Sequence, residues 1–469
     1  MSEAAAFLRA MAEEVAETHI SWVFLGRDRA WKVKKPVNLG FLDFTTLAER
    51  ERLTRHEFAL NAPHAPGLYR RVVPVTRAPD GTLALDGAGA PVEWALEMRR
   101  LPPGAFLDVA PLPDPRALAD AVAALHAAAP PRAGDGALDR ILAQNRDSAL
   151  AAGLPEARVR GWFAAAAALH DRLRPLLAER AAAGRLRRCH GDLHLGNLCL
   201  LDGAVRPFDA LEFDEAMATV DVGYDLAFLL MDLERRHGRA GANAVLNRWV
   251  ARTGDWQVVG GLPLWLSLRA IIRAHVECRR GRAWEGLLEA AEAALRPAPA
   301  PLVAVGGLQG TGKSHLARRL APLLGAAPGA LVLRSDEIRK RRHGAAPEER
   351  LPPAAYAPAE SAAVFAELAA AARGAVALGH AAIADAVFAR AEERAALGPC
   401  QGLWLTAPMA VLRARVAART GDASDADVAV LEATAARGAA APEWTALDAA
   451  DDPLPAACKA LDLDAPAPP

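Results

Sequence analysis

The stretch GLQGTGKS, residues 307–314, decides the fold of the C-terminal half of this chain. It follows a short apolar run at 302–305 and precedes a helix-like run at 315–324. In such a turn, backbone N–H groups and the helix N-terminus bind phosphates, the lysine reaches the β- and γ-phosphates, and the next hydroxyl binds Mg²⁺. The alternative is a chance glycine-rich loop, but the complete strand, turn and helix order favours a nucleoside triphosphate site. Its predicted ligands are Gly307, Gly310, Thr311, Gly312, Lys313 and Ser314, with Ser314 also binding the metal.

Strand-like and helix-like runs alternate after this turn. Short apolar runs at 331–333, 381–384 and 402–405 predict strands, and helix-like runs fill 357–378 and 411–419, before a polar stretch at 420–427. This alternation predicts a doubly wound α/β fold with a parallel sheet, in which ligands bind at the carboxyl ends of the strands. Asp336 and Asp385 fall at or just past two such ends.

The segment RPAPAP, residues 296–301, predicts a stiff, extended linker. It divides the chain into a domain at 1–295 and a P-loop domain at 302–469. The total length of 469 residues predicts roughly three folding units at about 150 residues each.

Charge and cysteine content exclude several classes of protein. The net charge is −1, so nothing demands nucleic acid or an anionic membrane as partner. The five cysteines form no CxxC pair, which argues against a disulfide scaffold or a zinc site and fits a reducing cytosol. The acidic N-terminus does not fit a signal peptide, and no run of ~20 strongly apolar residues predicts a membrane span. We expect a soluble, cytoplasmic protein.

The N-terminal residues predict the element order of a kinase small lobe. A helix at 3–16 precedes strands at 19–25 and 30–33, a helix at 46–61, and strands at 72–76 and 92–98, listed from the sequence pattern. Lys32 and Lys34 are two apart on the second strand and share one of its faces. A solvated strand lysine is the alternative interpretation of Lys32, because single lysines are mostly exposed.

A second informative stretch, CHGDLHLGN, occupies residues 189–197. Strands at 198–201 and 204–208 follow, joined by Asp202-Gly203, which predicts a two-residue hairpin that ends at Asp209. Phosphoryl transfer needs a carboxylate for the acceptor hydroxyl, plus an amide and a carboxylate for Mg²⁺. Asp192 is the predicted catalytic residue, and Asn197 and Asp209 are the predicted metal ligands. The alternative, a polar loop without function, does not explain the His-x-Asp-x-x-x-x-Asn spacing followed by an aspartate.

These motifs resemble the aminoglycoside phosphotransferase and choline kinase group of the protein-kinase-like fold, over residues 1–295. The resemblance implies two lobes, with Lys32, or less favourably Lys34, pairing with Glu57 and the phosphates. It implies that residues 97–99 form the hinge beside adenine. The chain departs from the pattern in lacking G-x-G-x-x-G in its first hairpin, so we expect a short or unusual phosphate-covering loop.

Residues 302–469 resemble the small P-loop kinases, an AAA-type group that includes polynucleotide, gluconate, shikimate and chloramphenicol kinases. The resemblance implies that Asp336 is the catalytic base, that Arg339 and Asp385 contact substrate, and that Arg415 and Arg419 are lid arginines over the phosphates. A helix-capping role for Asp336 and a solvated face for the two lid arginines are the alternatives. The stretches THISWVFL (18–25), WKVKKPV (31–37), FLDF (41–44) and DVGYDLAFLLMDL (221–233) resemble a group that fuses the two kinds of domain. In the last stretch we expect Asp221 and Asp225 to brace the large lobe.

Two further features bear on the acceptor. No strand of the C-terminal half ends directly in an Asp-Glu pair, which favours transfer to a bound hydroxyl over hydrolysis. A predicted helix at 262–282 carries several arginines, and either a solvated basic face or a basic acceptor site explains them.

Together these patterns predict two unrelated kinase folds in one chain, each using ATP and Mg²⁺ to phosphorylate a hydroxyl of a small molecule. One rival hypothesis makes one domain catalytic and the other an ATP-binding regulatory module. Another makes the C-terminal half a 5′-hydroxyl kinase of nucleic acid, suggested by Asp336, Arg339 and the basic run 339–342. The net charge of −1 and the 5% aromatic content disfavour that second rival, because single-strand binders stack bases on aromatic rings.

Overall fold

The structure, a computed structural model, describes residues 2–38, 43–419 and 421–464. Phe41 and Leu42 of the quoted FLDF stretch, Thr420 at the start of the polar stretch, and residues 465–469 of the predicted P-loop domain lie outside these ranges. The chain forms two compact units. The first comprises Met1–Ala117, Ala124–Leu138 and Gly184–Asp225, and the second comprises Leu118–Ala123, Asp139–Ala183 and Leu226–Pro469.

An antiparallel six-stranded sheet, in the order β1-β2-β3-β6-β4-β5, forms the main part of the first unit. Its strands are β1 (Glu14–Glu17), β2 (Ser21–Leu25), β3 (Arg29–Lys34), β4 (Tyr69–Arg77), β5 (Leu83–Leu85) and β6 (Ala90–Arg99). Helix α1 (Glu3–Met11) precedes the sheet, and α2 (Leu47–Asn61) lies between β3 and β4 in the chain. The predicted helix at 3–16 is wrong after residue 11, because residues 14–17 pair with β2 instead.

Helix α1 covers the apolar core of this sheet. Ser2 caps the helix by accepting a hydrogen bond from the backbone N–H of Ala5, at 3.2 Å. Leu8 is fully buried and belongs to one cluster with Phe24 and Val33 of the sheet. The small lobe therefore has a hydrophobic core of its own, on which β3 can hold its two lysines.

Short elements complete the first unit. They are α3 (Pro115–Ala128), β7 (Leu186–Arg188), β8 (Leu198–Leu201), β9 (Ala204–Pro207), α6 (Glu215–Ala218) and β10 (Thr219–Asp221). Strand β7 pairs with β10, and β8 pairs with β9, both antiparallel. The predicted hairpin is confirmed, with Asp202 and Gly203 at φ of 51° and 78° in its turn. Helix α3 contributes its central residues 118–123 to the second unit.

The second unit begins with a helical layer made of α4 (Leu138–Ala151), α5 (Glu156–Ala182), α7 (Val222–His237), α8 (Arg239–Thr253), α9 (Val258–Arg279) and α10 (Glu285–Ala294). Buried polar contacts fix the layer. The indole N–H of Trp162 on α5 donates to Ser267 Oγ on α9 at 2.8 Å, and Arg180 pairs with Asp255 at 2.6 Å. The helix predicted at 262–282 corresponds to α9, which begins four residues earlier and ends at Arg279, so the prediction is wrong for residues 280–282.

A parallel five-stranded sheet in the order β12-β13-β11-β14-β15 follows in the same unit. Its strands are β11 (Leu302–Gly307), β12 (Leu331–Arg334), β13 (Ala382–Asp385), β14 (Gln401–Thr406) and β15 (Thr445–Asp448). The accompanying helices are α11 (Lys313–Leu320), α12 (Ser335–Arg342), α13 (Pro358–Ala377), α14 (Ala391–Ala395), α15 (Met409–Ala418), α16 (Val428–Ala436) and α17 (Leu454–Ala460). The doubly wound α/β prediction is confirmed, and the P-loop strand is central.

Cys189, Cys199, Cys278, Cys400 and Cys458 are free thiols. Within the described ranges, no helix combines the length and the apolar character needed to cross a membrane.

Candidate active sites

A half-buried lysine, with 13% of its side chain exposed, joins two carboxylates at the first predicted ATP site. The Nζ atom of Lys32 lies 2.7 Å from Glu57 Oε1 and 2.5 Å from Asp209 Oδ1. One ammonium group therefore connects β3, α2 and the end of the β8–β9 hairpin. Burial lowers the pKa of Lys32, but Asp209 and Glu57 outweigh burial and hold that pKa well above its ordinary value. The side chain stays a cation, as a phosphate ligand must.

Lys34 is a second, deeper cation beside the first. Its Nζ lies 2.8 Å from Glu57 Oε2 and also pairs with Glu212, and only 1% of Lys34 is exposed. Burial alone would raise the pKa of Glu57, but the charges of Lys32 and Lys34 have the larger effect and lower that pKa to about 2. The family resemblance leaves Lys32 and Lys34 as alternatives. Both bind Glu57, and Lys32 is the one that reaches Asp209. No motif marks Glu212, so sequence reasoning missed it.

The catalytic-loop motif brings its predicted residues together by hydrogen bonds. The side-chain amide of Asn197 donates to the backbone carbonyl of Asp192 at 2.9 Å and to Asp192 Oδ2 at 3.1 Å. The backbone carbonyl of Asn197 accepts from the N–H of Phe208, the residue before Asp209, at 3.0 Å. The Asp192 side chain is 46% exposed, and His194 Nε2 lies 3.6 Å from its Oδ2. A carboxylate held in this way remains open to a ligand.

A buried aspartate fixes the backbone of this loop. Asp225 accepts from the N–H groups of His190 and Gly191 at 3.0 and 2.9 Å. His190 Nε2 in turn lies 2.8 Å from the carbonyl of Phe208, so the loop and the hairpin end are joined a second time. Asp225 is fully buried. These contacts are those of a brace, the role expected for Asp225 from the sequence.

Asp209 adopts an uncommon backbone conformation, with φ at 60°. Its N–H donates to the hydroxyl of Tyr69 at 3.0 Å, and the next N–H, of Ala210, donates to Asn61 Oδ1 at 2.9 Å. A non-glycine residue in the left-handed region costs of order 1–3 kcal/mol and persists only where its surroundings fix it. Here that conformation presents the carboxylate to Lys32.

The second predicted site has the backbone that a phosphate loop requires. Gly307, Gly310 and Gly312 have φ of 138°, 85° and 85°. A side chain at Gly307 would also place its Cβ 2.5 Å from the carbonyl oxygen of Leu405, so only glycine fits. The loop leads directly into α11, whose first residue is Lys313.

Lys313 folds back over its own loop. Its Nζ donates to the carbonyl of Leu308 at 2.9 Å, and the Thr311 hydroxyl donates to the same carbonyl at 2.8 Å. Burial lowers the pKa of Lys313, and the charges of Asp385 and Asp336 oppose this. Ser314 follows on the first turn of α11 and is half-buried. The predicted nucleotide ligands therefore lie in one strand–loop–helix segment.

Arg334 is the centre of an ion-pair network that includes the predicted substrate residue Asp385, although no sequence motif identifies it. Its guanidinium lies 3.2 Å from Asp385 Oδ2, 3.0 Å from Glu337 Oε1 and 2.9 Å from Asp422 Oδ1. Only 5% of Arg334 is exposed. Burial lowers its pKa, but Glu337, Asp385 and Asp422 raise it further. Asp385, predicted to contact substrate, is buried in this ion-pair network.

The predicted base and its neighbour occupy the helix that follows β12. Asp336 lies in the first turn of α12 and provides no side-chain cap, so the capping alternative is wrong. Burial raises the pKa of Asp336, opposed by Arg334, and thereby strengthens it as a proton acceptor. Arg339 is buried, donates to the carbonyl of Ala355 at 2.7 Å and stacks 4.7 Å from the Tyr356 ring centre.

The two predicted lid arginines bind backbone carbonyls. Arg415 donates to Ala449 and Ala450 at 2.7 and 3.0 Å, and Arg419 donates to Ala426. Arg419 is close enough to Lys313 for its charge to lower the lysine pKa. Arg415 is exposed, as the solvated-face alternative expects, and Arg419 is half-buried. In this conformation both side chains bind backbone carbonyls of loops.

Some of the basic residues of α9 line a cleft in the helical layer. It has a volume of about 520 Å³ and is lined by Arg235, Arg236, Arg273, Glu277, Arg282 and Ala283. Glu277 is buried and pairs with Arg273 at 2.9 Å and Arg282 at 3.4 Å. Arg269 instead stacks 4.7 Å from the ring centre of Phe228. Arg273 of α9 therefore lines the cleft, whereas Arg269 of the same helix packs on an aromatic ring.

Two family models match the chain. The Phosphotransferase enzyme family matches residues 52–262, and the AAA domain matches residues 302–440. The uncharacterized protein Rv2004c of Mycobacterium tuberculosis is 31% identical over 472 residues, covering 91% of this chain and 90% of the relative. A Mycobacterium bovis protein, uncharacterized protein Mb2027c, matches to the same extent.

Solved structures of kinases also match part of the chain. Choline kinase of Cryptosporidium parvum is 12% identical with a TM-score of 0.39, covering 62% of this chain and 92% of that one. A glucosamine kinase in complex with glucosamine, ADP and inorganic phosphate is 17% identical with a TM-score of 0.32, covering 60% and 78%. At these TM-scores the matches carry no argument about substrate.

Replacing Glu57 by glutamine tests the paired lysines. The folded-state pKa of Glu57 is about 2, below its unfolded value. The ionised carboxylate therefore stabilises the folded protein at any pH above the unfolded pKa, and this stabilisation is lost as pH falls towards the folded pKa. The stabilisation amounts to roughly 3 kcal/mol. We expect Glu57→Gln to destabilise the protein at neutral pH and to flatten the fall in unfolding free energy between about pH 5 and pH 3. Urea unfolding at a series of pH values measures both. An unchanged pH slope would contradict the assignment.

Replacing Arg334 by methionine tests the acceptor-side network. The change leaves three carboxylates near one another without their cation, and we expect a loss of roughly 3–5 kcal/mol. The matched control is Arg319→Met, which removes an exposed pair with Asp452 and should cost less than about 1 kcal/mol. Calorimetric melting of the full chain compares them. Equal effects of the two changes would show that the ion pairs of Arg334 contribute no more to stability than an exposed pair does.

Proposed function

Because this chain belongs to the family of the mycobacterial proteins Rv2004c and Mb2027c and is an ATP-dependent phosphotransferase, we propose that it carries two ATP sites. Each transfers the γ-phosphoryl group of ATP to a hydroxyl of a small-molecule acceptor. The observation that carries the proposal is the Lys32 ammonium shared by Glu57 and Asp209, since a cation fixed between two carboxylates is ready to bind phosphate. We keep the predicted boundaries, with the phosphotransferase domain at 1–295, the linker at 296–301 and the P-loop domain at 302–469.

In the N-terminal site the roles follow from what each side chain contacts. Lys32 binds the phosphates and Glu57 holds it in position. Asp192, open to solvent on one side and bonded by Asn197 on the other, orients the acceptor hydroxyl and takes its proton. Catalysis rests on this positioning and on fixed charges rather than on a covalent intermediate.

The oxygen donors near the loop fit Mg²⁺. Asn197 uses its amide nitrogen on Asp192, which leaves its amide oxygen as a donor, and Asp209 supplies a carboxylate. Mg²⁺ takes one or two protein oxygens and completes its shell with phosphates and water. When bound, the ion would neutralise charge that develops on the transferred phosphoryl group. Ser314 offers the corresponding hydroxyl in the P-loop site.

In the C-terminal site the loop amides and Lys313 bind the phosphates, and Asp336 is the base. Burial of Asp336 raises its pKa and favours proton transfer from an acceptor hydroxyl. Arg339 binds an anionic group of the acceptor, and Asp385 acts on substrate through Arg334, which it holds. Arg415 and Arg419 would contact phosphate only after leaving their carbonyl partners.

Separate inactivation of each site tests the proposal of two active sites. Asp192→Asn should lower transfer at the N-terminal site by about 10²–10⁴-fold, and Lys313→Ala should lower transfer at the C-terminal site by about 10²-fold or more. Each variant is assayed with labelled ATP against a panel of hydroxyl-bearing small molecules. Asp202→Asn in the exposed hairpin turn and Lys459→Ala at an exposed position of α17 are the matched controls. If one variant removes all transfer, the other domain is a regulatory module.

Calorimetry with a non-hydrolysable ATP analogue and Mg²⁺ counts the sites directly. We expect two binding events in the unmodified protein and one in Lys313→Ala, because the lysine supplies charge to the phosphates of one site only. A single event in the unmodified protein would contradict two nucleotide sites. A 5′-hydroxyl oligonucleotide, added as acceptor in the labelling assay, should stay unlabelled, and label on it would establish the nucleic-acid kinase alternative.

A further inference from the structure

The edge of the C-terminal sheet is covered by a helix that precedes the predicted linker. Strand β12 is the outermost strand, with β13 on one side only. The N–H of Leu331 donates inward, to Ala381 at 2.9 Å. The N–H of Val332 and the carbonyl of Ala330 point the other way, where a sixth strand would be. Unpaired groups of this kind are a hazard at sheet edges and are costly when buried.

Asn247 of α8 supplies both missing partners. Its Oδ1 accepts from the N–H of Val332 at 2.6 Å, and its Nδ2 donates to the carbonyl of Ala330 at 3.2 Å. In a parallel ladder, one residue of the neighbouring strand bonds to an N–H and to the carbonyl two residues earlier, which is the same pair of groups. The carboxamide of Asn247 therefore takes the place of a peptide group from an added strand.

Other residues of α8 extend this contact. Asn243, 2% exposed, donates to the same Ala330 carbonyl at 3.0 Å and accepts from Asn247 at 2.9 Å. Arg239, one turn earlier, donates to the carbonyls of Gly325 and Ala326 at 2.5 and 2.7 Å. Arg239, Asn243 and Asn247 are spaced four residues apart, and they thus supply hydrogen-bond partners to the loop before β12 and to β12 itself.

The chain after α8 packs closely on the helices that flank β12. A Cβ added at Gly374 of α13 would lie 2.3 Å from the Trp256 ring, so the absence of a side chain at Gly374 makes room for that indole. Arg248 of α8 pairs with Glu348, which follows α12, at 2.6 Å, with only 10% of the arginine side chain exposed. The contact therefore has polar, apolar and ionic parts.

We propose that α8 is the docking surface for the open edge of the P-loop sheet, so that the helical layer and the C-terminal sheet fold as one body. The partner of this surface is β12 with the loop before it, in the same chain. Strand β12 continues directly into α12, which carries Asp336 and Arg339, so α8 also supports the acceptor side of the second site. The tests below measure folding and exchange, so their outcome does not depend on the proposed function.

The hydrogen bonds are tested with Asn247→Leu in the full chain. Leucine keeps the volume but leaves the Val332 N–H without its acceptor, and we expect hydrogen exchange at that amide to accelerate roughly tenfold or more. Ala244→Leu, on the exposed face of the same helix, is the control and should leave exchange at Val332 unchanged. Unchanged exchange in Asn247→Leu would overturn the proposal.

The packing is tested with Gly374→Ala, which drives a methyl group into Trp256. We expect faster exchange at Val332 and a lower melting temperature. The control is Gly286→Ala on α10, where nothing lies within 4 Å of the added Cβ, so that helix propensity leaves stability unchanged or higher. Equal effects of the two changes would count against the packing.

Cleavage of the linker tests whether the helical layer and the C-terminal sheet stay together, even if a variant fails to fold. A protease site is placed within residues 296–301 of the full chain, and the purified protein is cleaved. We expect the two fragments to co-elute on size exclusion and to separate only in denaturant. A C-terminal fragment that elutes alone, folded, and with Val332 as protected as in the intact protein would overturn the proposal.

Discussion

The burial of cations among carboxylates is the constraint on which both predicted sites depend. Removing a charge from water costs several kcal/mol unless a partner of opposite sign and good geometry compensates. Glu57 can be buried because Lys32 and Lys34 bind it, and those lysines can be buried because Glu57, Asp209 and Glu212 bind them. Each member fixes the others, so β3, α2 and the hairpin end hold a defined spacing before any ligand arrives. Such preorganised charge is what phosphoryl transfer requires.

The C-terminal sheet also buries a cation among carboxylates, but the cation is an arginine instead of a lysine. Arg334 extends from the end of β12 and binds the carboxylate at the end of β13, so two neighbouring strand ends are joined by charge. The planar guanidinium reaches three carboxylates at once, which an ammonium on a flexible stem does less well. Asp336 follows Arg334 by two residues and therefore lies among these fixed charges. Burial raises the pKa of Asp336 there. The charge environment of Asp336 and Asp385, the predicted acceptor residues, therefore depends on Arg334.

The features that sequence predicted are those that local chemistry determines. The three glycines of the phosphate loop and the Asp202-Gly203 turn need backbone conformations that few residues adopt, so they are visible in the sequence. Glu212 and the triple pairing of Arg334 were missed, because such pairs join residues distant in the chain and carry no motif. The sequence pattern predicts a helix at residues 14–17, because their strand conformation depends on pairing with β2, which no local pattern shows.

The domain boundary illustrates the same distinction. A proline-rich segment identifies where a chain is extended, but it does not identify which surfaces need one another. The backbone groups of β12 are satisfied by asparagines that precede that segment by about fifty residues, a distance the chain can span at little extra entropic cost. Burying those groups without partners would cost of order 1–3 kcal/mol each. The composition of residues 296–301 and the hydrogen bonds of β12 therefore identify different folding units. Our proposal for α8 and β12 follows the hydrogen bonds, because folding free energy depends on which polar groups are satisfied.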